Sequence, residues 1–252
     1  MLSEERQGKI VSLINENKSM TIQMLMKALD ASESTIRRDL SELNEKGLIE
    51  KVYGGAISKD VTFSGKDETV TTRMVQNREA KIAIAKYAAS LINDDDFVYL
   101  DAGTTTEFMI PFIKAKKIAF VTNGFSHARK LSEAGFVTYI LGGEVKFPTE
   151  AVVGEEAVLM LFKYHFTKGF WGTNGISQSS GFSTPDVKEA LIKHMSMSRT
   201  HEKYILGDAS KFSQISCVTF ADFFDATVIT TGLENTMSVY RSYKNVVEIK
   251  EQ

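Results

Sequence analysis

The chain has 252 residues, of which 43% are hydrophobic and 25% are charged. At about 150 residues per domain, this length fits one large domain or two unequal ones. The composition excludes the disordered, collagen-like and low-complexity classes. The longest apolar runs, such as 157–162, are only six residues, and the charged, acidic start is unlike a secretory signal. A soluble, cytoplasmic protein is therefore expected.

The 30 Lys and Arg residues nearly balance the 32 Asp and Glu residues, which gives a formal net charge of −2. This balance excludes a protein that coats nucleic acid by charge, but it does not exclude one that reads a sequence. The single cysteine, Cys217, excludes an internal disulfide, and the four histidines lack metal-ligand spacing. We expect no metal and no cofactor, and we interpret Cys217 as a small buried or half-buried residue.

Three helices are predicted at the start of the chain, and a very short turn joins the second to the third. Thr21 can cap the second helix and Ser32 the third, because their hydroxyls accept from free backbone N–H groups. The third helix is predicted over 33–46, and Gly47 ends it. Two short helices joined by so few residues predict a helix-turn-helix.

The third predicted helix has an apolar stripe and a polar face. Its spacing places Ile36, Leu40 and Leu43 together, toward a core. The polar face carries small hydroxyls and two arginines, residue types that contact phosphates and guanine edges in the major groove. The candidate DNA-contacting residues here are Ser32, Ser34, Thr35, Arg37, Arg38 and Ser41.

A short β-wing is predicted after this helix. Apolar and polar residues alternate along the stretch 48–55, which ends in a glycine turn. This pattern places Lys51 and Tyr53 where they can contact the DNA backbone or the minor groove. The helix also has a purely structural interpretation, in which Arg37 and Arg38 pair with acidic residues of the same helix. The acidic residues within reach are Glu33, Glu42 and Glu45.

Three motifs in this region carry a family resemblance. They are Ser32 to Leu40, Gly47 to Ile49 and Tyr53 to Ala56. Together they resemble the winged helix of DeoR-type transcriptional repressors. The departures are Ala31, where the family usually has valine, and Tyr53, where histidine is common. The resemblance implies that residues 1–57 form a winged helix-turn-helix DNA-binding domain whose partner is operator DNA.

The domain organisation follows from a change in composition. Residues 58–72 are polar and predict a linker, and 73–252 form a second domain. Residues 1–57 hold 8 Lys and Arg against 9 Asp and Glu, so even the predicted DNA-binding domain has no basic excess. We therefore expect weak non-specific binding, with affinity that rests on directed contacts and on oligomerisation.

In the second domain, β-rich runs alternate with helical stretches, which predicts a parallel α/β sheet wrapped by helices. The predicted strands are 97–100, 118–122, 137–141, 169–172, 204–206 and 228–230. In such sheets ligands bind at the carboxyl ends of the strands.

The loop after the first of these strands, Asp101 to Thr106, predicts an anion cradle, because it combines glycine, three hydroxyls and a helix N-terminus. A merely capped helix is the alternative. Neither a GxGxxG motif nor a P-loop is present, so a small phosphorylated ligand is favoured over a dinucleotide or a nucleoside triphosphate. The loops after later strands also contain glycine and asparagine or other polar residues, which is typical of a polar pocket or of tight turns. Lys211, in one of these loops, either contacts a phosphate or is a surface lysine.

These loops also resemble the sensor domain of the same repressors, through Asp101 to Thr106, Val121 to Gly124, Leu141 to Glu144, Gly172 to Ile176 and Gly207 to Phe212. The resemblance implies a Rossmann-like domain related to ribose-phosphate isomerase and glucosamine-phosphate deaminase, in which the Gly103 loop holds the phosphate of an inducing sugar. The candidate effector residues are Asp101, Gly103, Thr104, Thr105, Thr106, Thr122, Asn123, Gly142, Gly172, Asn174 and Lys211. The stretch 181–186 is similar to fructose-operon repressors and implies fructose 1-phosphate.

The leading hypothesis is a homo-oligomeric repressor, dimer or tetramer, of a sugar-utilisation operon, released by a sugar phosphate. The alternatives are a sugar-phosphate isomerase or deaminase with an accessory N-terminal domain, and an activator or a regulator with a different ligand. Thr167 stands where the family usually has aspartate. Because threonine is no general base near neutral pH, we expect no enzyme, and we expect Thr167 to affect inducer choice.

Overall fold

The N-terminal part of the chain forms three helices and a three-stranded antiparallel sheet. The structure is a computed structural model that describes residues 2–17, 19–52, 54–58, 63–64, 68–233 and 240–250. The elements of this part are α1 (Ser3–Asn17), β1 (Ser19–Thr21), α2 (Ile22–Leu29), α3 (Glu33–Glu45), β2 (Ile49–Val52) and β3 (Gly55–Ser58). The sheet order is β1-β3-β2, so β1 adds a third strand to the predicted wing.

The predicted helix caps and core stripe are confirmed. The hydroxyls of Thr21 and Ser32 accept from backbone N–H groups at the starts of α2 and α3. Ile36, Leu40 and Leu43 are buried against apolar residues of α1 and α2. This burial fixes one face of α3 in the core, so its opposite face must point to solvent.

The remaining elements build an α/β unit. They are β4 (Phe63–Ser64), α4 (Val70–Val75), α5 (Arg78–Ser90), β5 (Phe97–Leu100), α6 (Thr104–Glu107), β6 (Ala119–Thr122), α7 (Phe125–Glu133), β7 (Val137–Ile140), β8 (Glu144–Lys146), β9 (Ala151–Val153), α8 (Glu155–Leu161), β10 (Phe166–Gly172), β11 (Gly175–Ser177), β12 (Gly181–Thr184), α9 (Val187–Ser198), β13 (Thr200–Leu206), β14 (Ile215–Ser216), β15 (Val218–Ala221), β16 (Thr227–Thr231) and β17 (Val246–Ile249). Short 3-10 turns lie at Ile110–Phe112, Ala209–Lys211 and Phe223–Asp225.

A seven-stranded sheet with the order β17-β16-β13-β10-β5-β6-β7 is the centre of this unit, and all its strand pairs are parallel. Apolar side chains on its two faces form two separate core clusters, one packed with α5 and α7 and the other with α8 and α9. The predicted parallel α/β sheet is therefore confirmed. Strand β17, the hairpin β8–β9 and the small sheet β11-β12-β15 are not predicted by the sequence pattern.

The sheet order brings together loops that are far apart in the chain. Strands β5, β10 and β13 are neighbours, although they start at residues 97, 166 and 200. Because the strands are parallel, the loops that follow all three lie at one edge of the sheet. This carboxyl edge is the place where a ligand site is expected.

The segment predicted as a linker, 58–72, contains regular structure at several positions. Ser58 ends β3, β4 pairs in parallel with β14, and α4 begins at Val70, whose backbone N–H donates to Pro148 O at 3.0 Å. The boundaries 1–57, 58–72 and 73–252 remain a proposal. Within the described ranges, no helix is long and apolar enough to cross a membrane.

The interpretation of Cys217 as buried or half-buried is wrong, because its side chain is exposed in the short connection between β14 and β15. Trp171, by contrast, is a core residue. It is fully buried, and its indole N–H donates to Ser196 Oγ at 2.9 Å. The ring lies against Gly169, where a Cβ atom would overlap it.

Two glycine substitutions are expected to have opposite effects on stability. Gly169→Ala should lower the free energy of unfolding by about 1–3 kcal/mol, because the added methyl group meets the buried Trp171 ring. Gly8→Ala should raise it by about 0.5–1 kcal/mol, because Gly8 lies inside α1 with open space around it. Urea unfolding of both variants measures the difference. Destabilisation by both substitutions alike would contradict this account.

Candidate DNA interface and effector site

The outer face of α3 presents two exposed arginines. The side chains of Arg37 and Arg38 are 56% and 83% exposed. Each pairs with an acid one turn away: Arg37 with Glu33 at 2.7 Å, and Arg38 with Glu42 at 3.1 Å. Exposed pairs of this spacing contribute only about 0.3–0.5 kcal/mol. The structural interpretation and the DNA-contact interpretation are therefore compatible, because phosphate or base contacts can replace these pairs at small cost.

A buried network that the sequence analysis missed holds α3 against α1. Asp39 is 2% exposed and accepts from Arg6 Nε at 2.6 Å and from Gln7 Nε2 at 3.3 Å. Gln7 also donates to Glu42 Oε2 at 2.7 Å, and this bond, with that from Arg38, lowers the pKa of Glu42. Asp39 and Arg6 are 33 residues apart, so no local pattern predicts their pairing.

Two hydrogen bonds join the wing strand β2 to the outer face of α3. Lys51 Nζ donates to Ser41 Oγ at 2.8 Å, and its backbone N–H donates to Asn44 Oδ1 at 2.8 Å. At the start of α3, the Ser32 hydroxyl lies 3.0 Å from that of Ser34 and 2.8 Å from that of Thr35. The structure thus brings the predicted contact residues onto one surface. Tyr53 lies outside the described residues.

At the carboxyl edge of the sheet, Asp101 is buried in an ion pair. Its Oδ2 accepts from Lys193 Nζ and from the Gly172 N–H at 3.2 Å, and Lys193 also donates to Gly172 O at 3.1 Å. Burial raises the pKa of Asp101, and the Lys193 ammonium opposes that rise. The bond joins the loops after β5 and β10 to α9. Lys193, 92 residues from Asp101, was not predicted.

Thr106 and His127 shape the turn after β5. The Thr106 hydroxyl lies 2.6 Å from Asp101 O and 2.7 Å from Gly103 O, the two carbonyl oxygens between which its one proton is shared, and it lies 3.1 Å from His127 Nε2. His127 is 3% exposed, and this burial lowers its pKa to about 4. Its ring is therefore neutral near pH 7. A narrow cavity of about 10 Å³ beside it is lined in part by Thr104 and Glu107.

Four other predicted effector residues make contacts inside the fold. Asn123 Oδ1 accepts from the Ala102 N–H at 2.8 Å, and Thr122 Oγ1 accepts from the Gly124 N–H at 3.0 Å. Asn174 Oδ1 accepts from Thr184 Oγ1 at 3.3 Å. The Gly142 N–H points to the sulfur of Met160. Asn123 and Thr122 thus hold loop shape, whereas Gly142 contacts α8 at the far end of the sheet.

The first turn of α6 keeps free hydrogen-bonding groups. The backbone N–H groups of Thr104, Thr105 and Thr106 have no acceptor inside a four-residue helix. Within the described ranges, the hydroxyls of Thr104 and Thr105 make no hydrogen bond, and the Lys211 ammonium makes neither a hydrogen bond nor an ion pair. The Cβ position of Gly103 lies 3.9 Å from Gly172 Cα, so the loops after β5 and β10 are in close contact.

A second buried cation, Lys81, was also missed. Its side chain is 4% exposed, and in the described part of the chain its ammonium bonds only the carbonyl oxygen of Arg73. Burial lowers the pKa of Lys81 to about 8, while the nearby Asp208 raises it and Lys211 lowers it. A second carboxylate, Glu68, also raises this pKa and Arg73 also lowers it, so two acids face three cations, Lys81, Lys211 and Arg73. Asp208 Oδ1 also accepts from Asn77 Nδ2 and from Ser210 Oγ. Positive charge is therefore only partly balanced here.

Thr167 lies far from the ligand edge of the sheet, so the expected effect of this residue on proton transfer and inducer choice is wrong. Thr167 is the second residue of β10, at the amino end of the sheet, where its hydroxyl donates to Asp96 Oδ1 at 2.8 Å and accepts from the Phe97 N–H at 3.1 Å. Gly172, at the ligand edge, is five residues further along the strand, about 17 Å away. Thr167 therefore bears on neither proton transfer nor inducer choice.

Two domain families match the chain. The DeoR-like helix-turn-helix domain matches residues 6–62, and the DeoR C terminal sensor domain matches residues 76–232.

No group of three His, Cys, Asp or Glu side chains among the described residues is arranged to hold a metal ion.

The relatives that match over nearly the whole chain are named as regulators. The chain is 41% identical over 251 residues to the "Uncharacterized HTH-type transcriptional regulator FruR" of Bacillus subtilis (strain 168), with 99% of each chain covered. It is 32% identical over 252 residues to the "Lactose phosphotransferase system repressor" of Staphylococcus aureus (strain NCTC 8325 / PS 47), again with 99% of each chain covered. A solved ribose 5-phosphate isomerase A from Methanocaldococcus jannaschii is 15% identical with a TM-score of 0.41, covering 54% of this chain and 55% of the isomerase. The close relatives are thus named as regulators rather than enzymes.

The buried His127 is expected to make stability depend on pH. The unfolded chain protonates this side chain near pH 6.5, whereas the folded chain does so only near pH 4, so stability falls as the pH drops through that window. Between about pH 7.5 and pH 5 its contribution is a loss of about 2 kcal/mol. His127→Gln should remove this part of the pH dependence in urea unfolding, and His201→Gln, at an exposed position, should not. Equal slopes in the wild type and His127→Gln would contradict the assignment.

Proposed function

The chain belongs to the DeoR family of transcriptional regulators, and on that premise we propose that it represses a sugar-utilisation operon and leaves its operator when a phosphorylated sugar binds. The observation that carries the proposal is the pairing of two matched domains in one chain. One has an exposed arginine-bearing helix, and the other has partly unbalanced positive charge at the ligand edge of a parallel sheet.

When the protein binds operator DNA, α3 enters the major groove. Arg37 and Arg38 exchange their carboxylate partners for phosphates or guanine edges, since each intrahelical pair is weak. Ser34 and Thr35 contact the backbone near the helix start, and Lys51 follows the neighbouring groove from the wing. The Arg6–Asp39 bond supports this docking because it fixes the helix against α1.

In the sensor domain, a sugar phosphate binds at the start of α6. The free N–H groups and hydroxyls of Thr104 and Thr105 supply donors, and Lys211 and Lys81 supply the positive charge that a phosphate dianion balances. Asp101 Oδ2, Thr106 Oγ1 and Asn123 Oδ1 act indirectly, because these three atoms already hold the loops in place.

Fructose 1-phosphate is the proposed effector. The stretch 181–186, which resembles fructose-operon repressors, includes Thr184, and Thr184 bonds the predicted effector residue Asn174. We also propose that the chain acts as a homo-oligomer, because helix-turn-helix readers bind paired half-sites. Effector binding then favours an arrangement of the DNA-binding domains that no longer fits the half-site spacing.

Operator affinity is expected to depend on Arg38. Arg38→Ala should weaken operator binding by roughly 10- to 100-fold, the effect of losing a bidentate contact to guanine. Arg129→Ala is the matched control, because Arg129 is an exposed arginine that also pairs with a glutamate one turn away, on α7 of the sensor unit. Fluorescence anisotropy with an operator duplex at fixed salt measures both. Unchanged binding by Arg38→Ala would remove this residue from the interface.

Effector affinity is expected to depend on Lys81. Lys81→Met should weaken fructose 1-phosphate binding by roughly 10- to 100-fold, the effect of losing a charge-assisted hydrogen bond. Lys86→Met, at an exposed position of the same helix, should bind like the wild type. Because the pKa of Lys81 is about 8 and a bound dianion raises it, the wild type should also take up protons on binding near pH 8. Calorimetry in two buffers of different ionisation enthalpy measures both effects. Wild-type affinity in Lys81→Met would exclude Lys81 from the site.

A further inference from the structure

One edge of the seven-stranded sheet is uncovered. Within the described part of the chain, β7 pairs only with β6. Three of its four side chains are apolar and exposed: Val137 by 57%, Tyr139 by 48% and Ile140 by 40%. The strand contains neither proline nor a charged residue, although edge strands of folded proteins are usually protected by such residues. Its free backbone groups and its apolar side chains therefore face solvent together.

Helix α8 extends this apolar surface. Leu159 is 63% exposed and Phe162, just after the helix, is 53% exposed. The helix lies beside the strand, because the N–H of Gly142, two residues after β7, points to the Met160 sulfur at 3.0 Å. The Tyr139 ring also lies 6.4 Å from that of Tyr164. We name Val137, Tyr139, Leu159 and Phe162 the edge patch.

We propose that a second copy of this chain covers the edge patch, with the two β7 strands paired antiparallel about a two-fold axis. A strand edge is self-complementary in that arrangement, because each copy offers the same row of N–H and C=O groups to the other. The four residues of β7 carry no charge, so two copies do not repel one another along the strand. The result is one continuous fourteen-stranded sheet with the side chains of both patches packed beside the junction.

This inference rests on the proposed function in one respect, since two copies joined in this way carry the two DNA-binding domains that paired half-sites require. The opposite edge of the sheet offers no comparable surface. The side chains of β17 are mostly half-buried, and Glu248 in that strand is paired with Arg241 at 2.6 Å. Of the two edges of the sheet, the one beside the edge patch is thus the one that offers exposed apolar side chains to a second copy.

The test is the mass of the full chain in solution, measured by sedimentation velocity over a range of protein concentrations. Tyr139→Lys should weaken self-association by at least roughly 100-fold, because a two-fold interface contains each substitution twice. Its mass should then be half that of the wild type. Phe224→Lys is the matched control, because Phe224 is also an exposed aromatic residue, in a turn that precedes β16 on the other side of the sheet. Its mass should equal that of the wild type.

Leu159→Lys provides a second variant, outside the strand, with the same expected loss of mass. The melting temperature of each variant, measured without ligand, reports an intact fold. A halved mass with a melting temperature like that of the wild type supports the edge patch, even if the wild type binds neither the operator nor fructose 1-phosphate. A monomeric wild type, or wild-type mass in folded Tyr139→Lys and Leu159→Lys, would overturn the proposal.

Discussion

The buried ion pair between Asp101 and Lys193 is the interaction on which the ligand edge of the sheet depends. It joins the loop after β5 to α9, and both partners also bond the backbone of Gly172, the last residue of β10. Removing one member of such a pair leaves an uncompensated buried charge, which costs about 3–5 kcal/mol. The pair also uses the carboxylate of Asp101 inside the fold. The Asp101 carboxylate is therefore paired inside the fold, and in the proposed site the positive charge comes from Lys81 and Lys211.

The DNA-binding part uses charge in the same way. The buried Arg6–Asp39 pair positions α3, while the exposed pairs of Arg37 and Arg38 contribute little and can be replaced. Acidic residues thus balance the charge of this part without blocking its outer arginines. A net charge of −2 for the whole chain is therefore consistent with a protein that reads a DNA sequence.

Local patterns in the sequence predicted much of the fold. The caps at Thr21 and Ser32, the apolar stripe of α3 and the central parallel strands all depend on residues close together in the chain. The missed features depend on distant partners: Arg6 with Asp39, and Asp101 with Lys193. Thr167 shows the same limit, because only the strand direction reveals that it lies at the amino end of the sheet. The loops at the carboxyl edge were identified from their residue types. The polar groups that remain free in these loops could be identified only from the hydrogen bonds of the structure.

In the proposed function, one ligand site and one DNA interface of this chain are coupled. Thermodynamic linkage requires that the two ligands weaken each other by one common factor, typically 5- to 150-fold. The most direct test measures the dissociation constant of a selected operator duplex with and without saturating fructose 1-phosphate, and that of fructose 1-phosphate with and without operator, at one salt concentration. The account predicts that both constants rise by the same factor. Operator affinity that stays unchanged while the sensor domain is saturated with the sugar phosphate would contradict it.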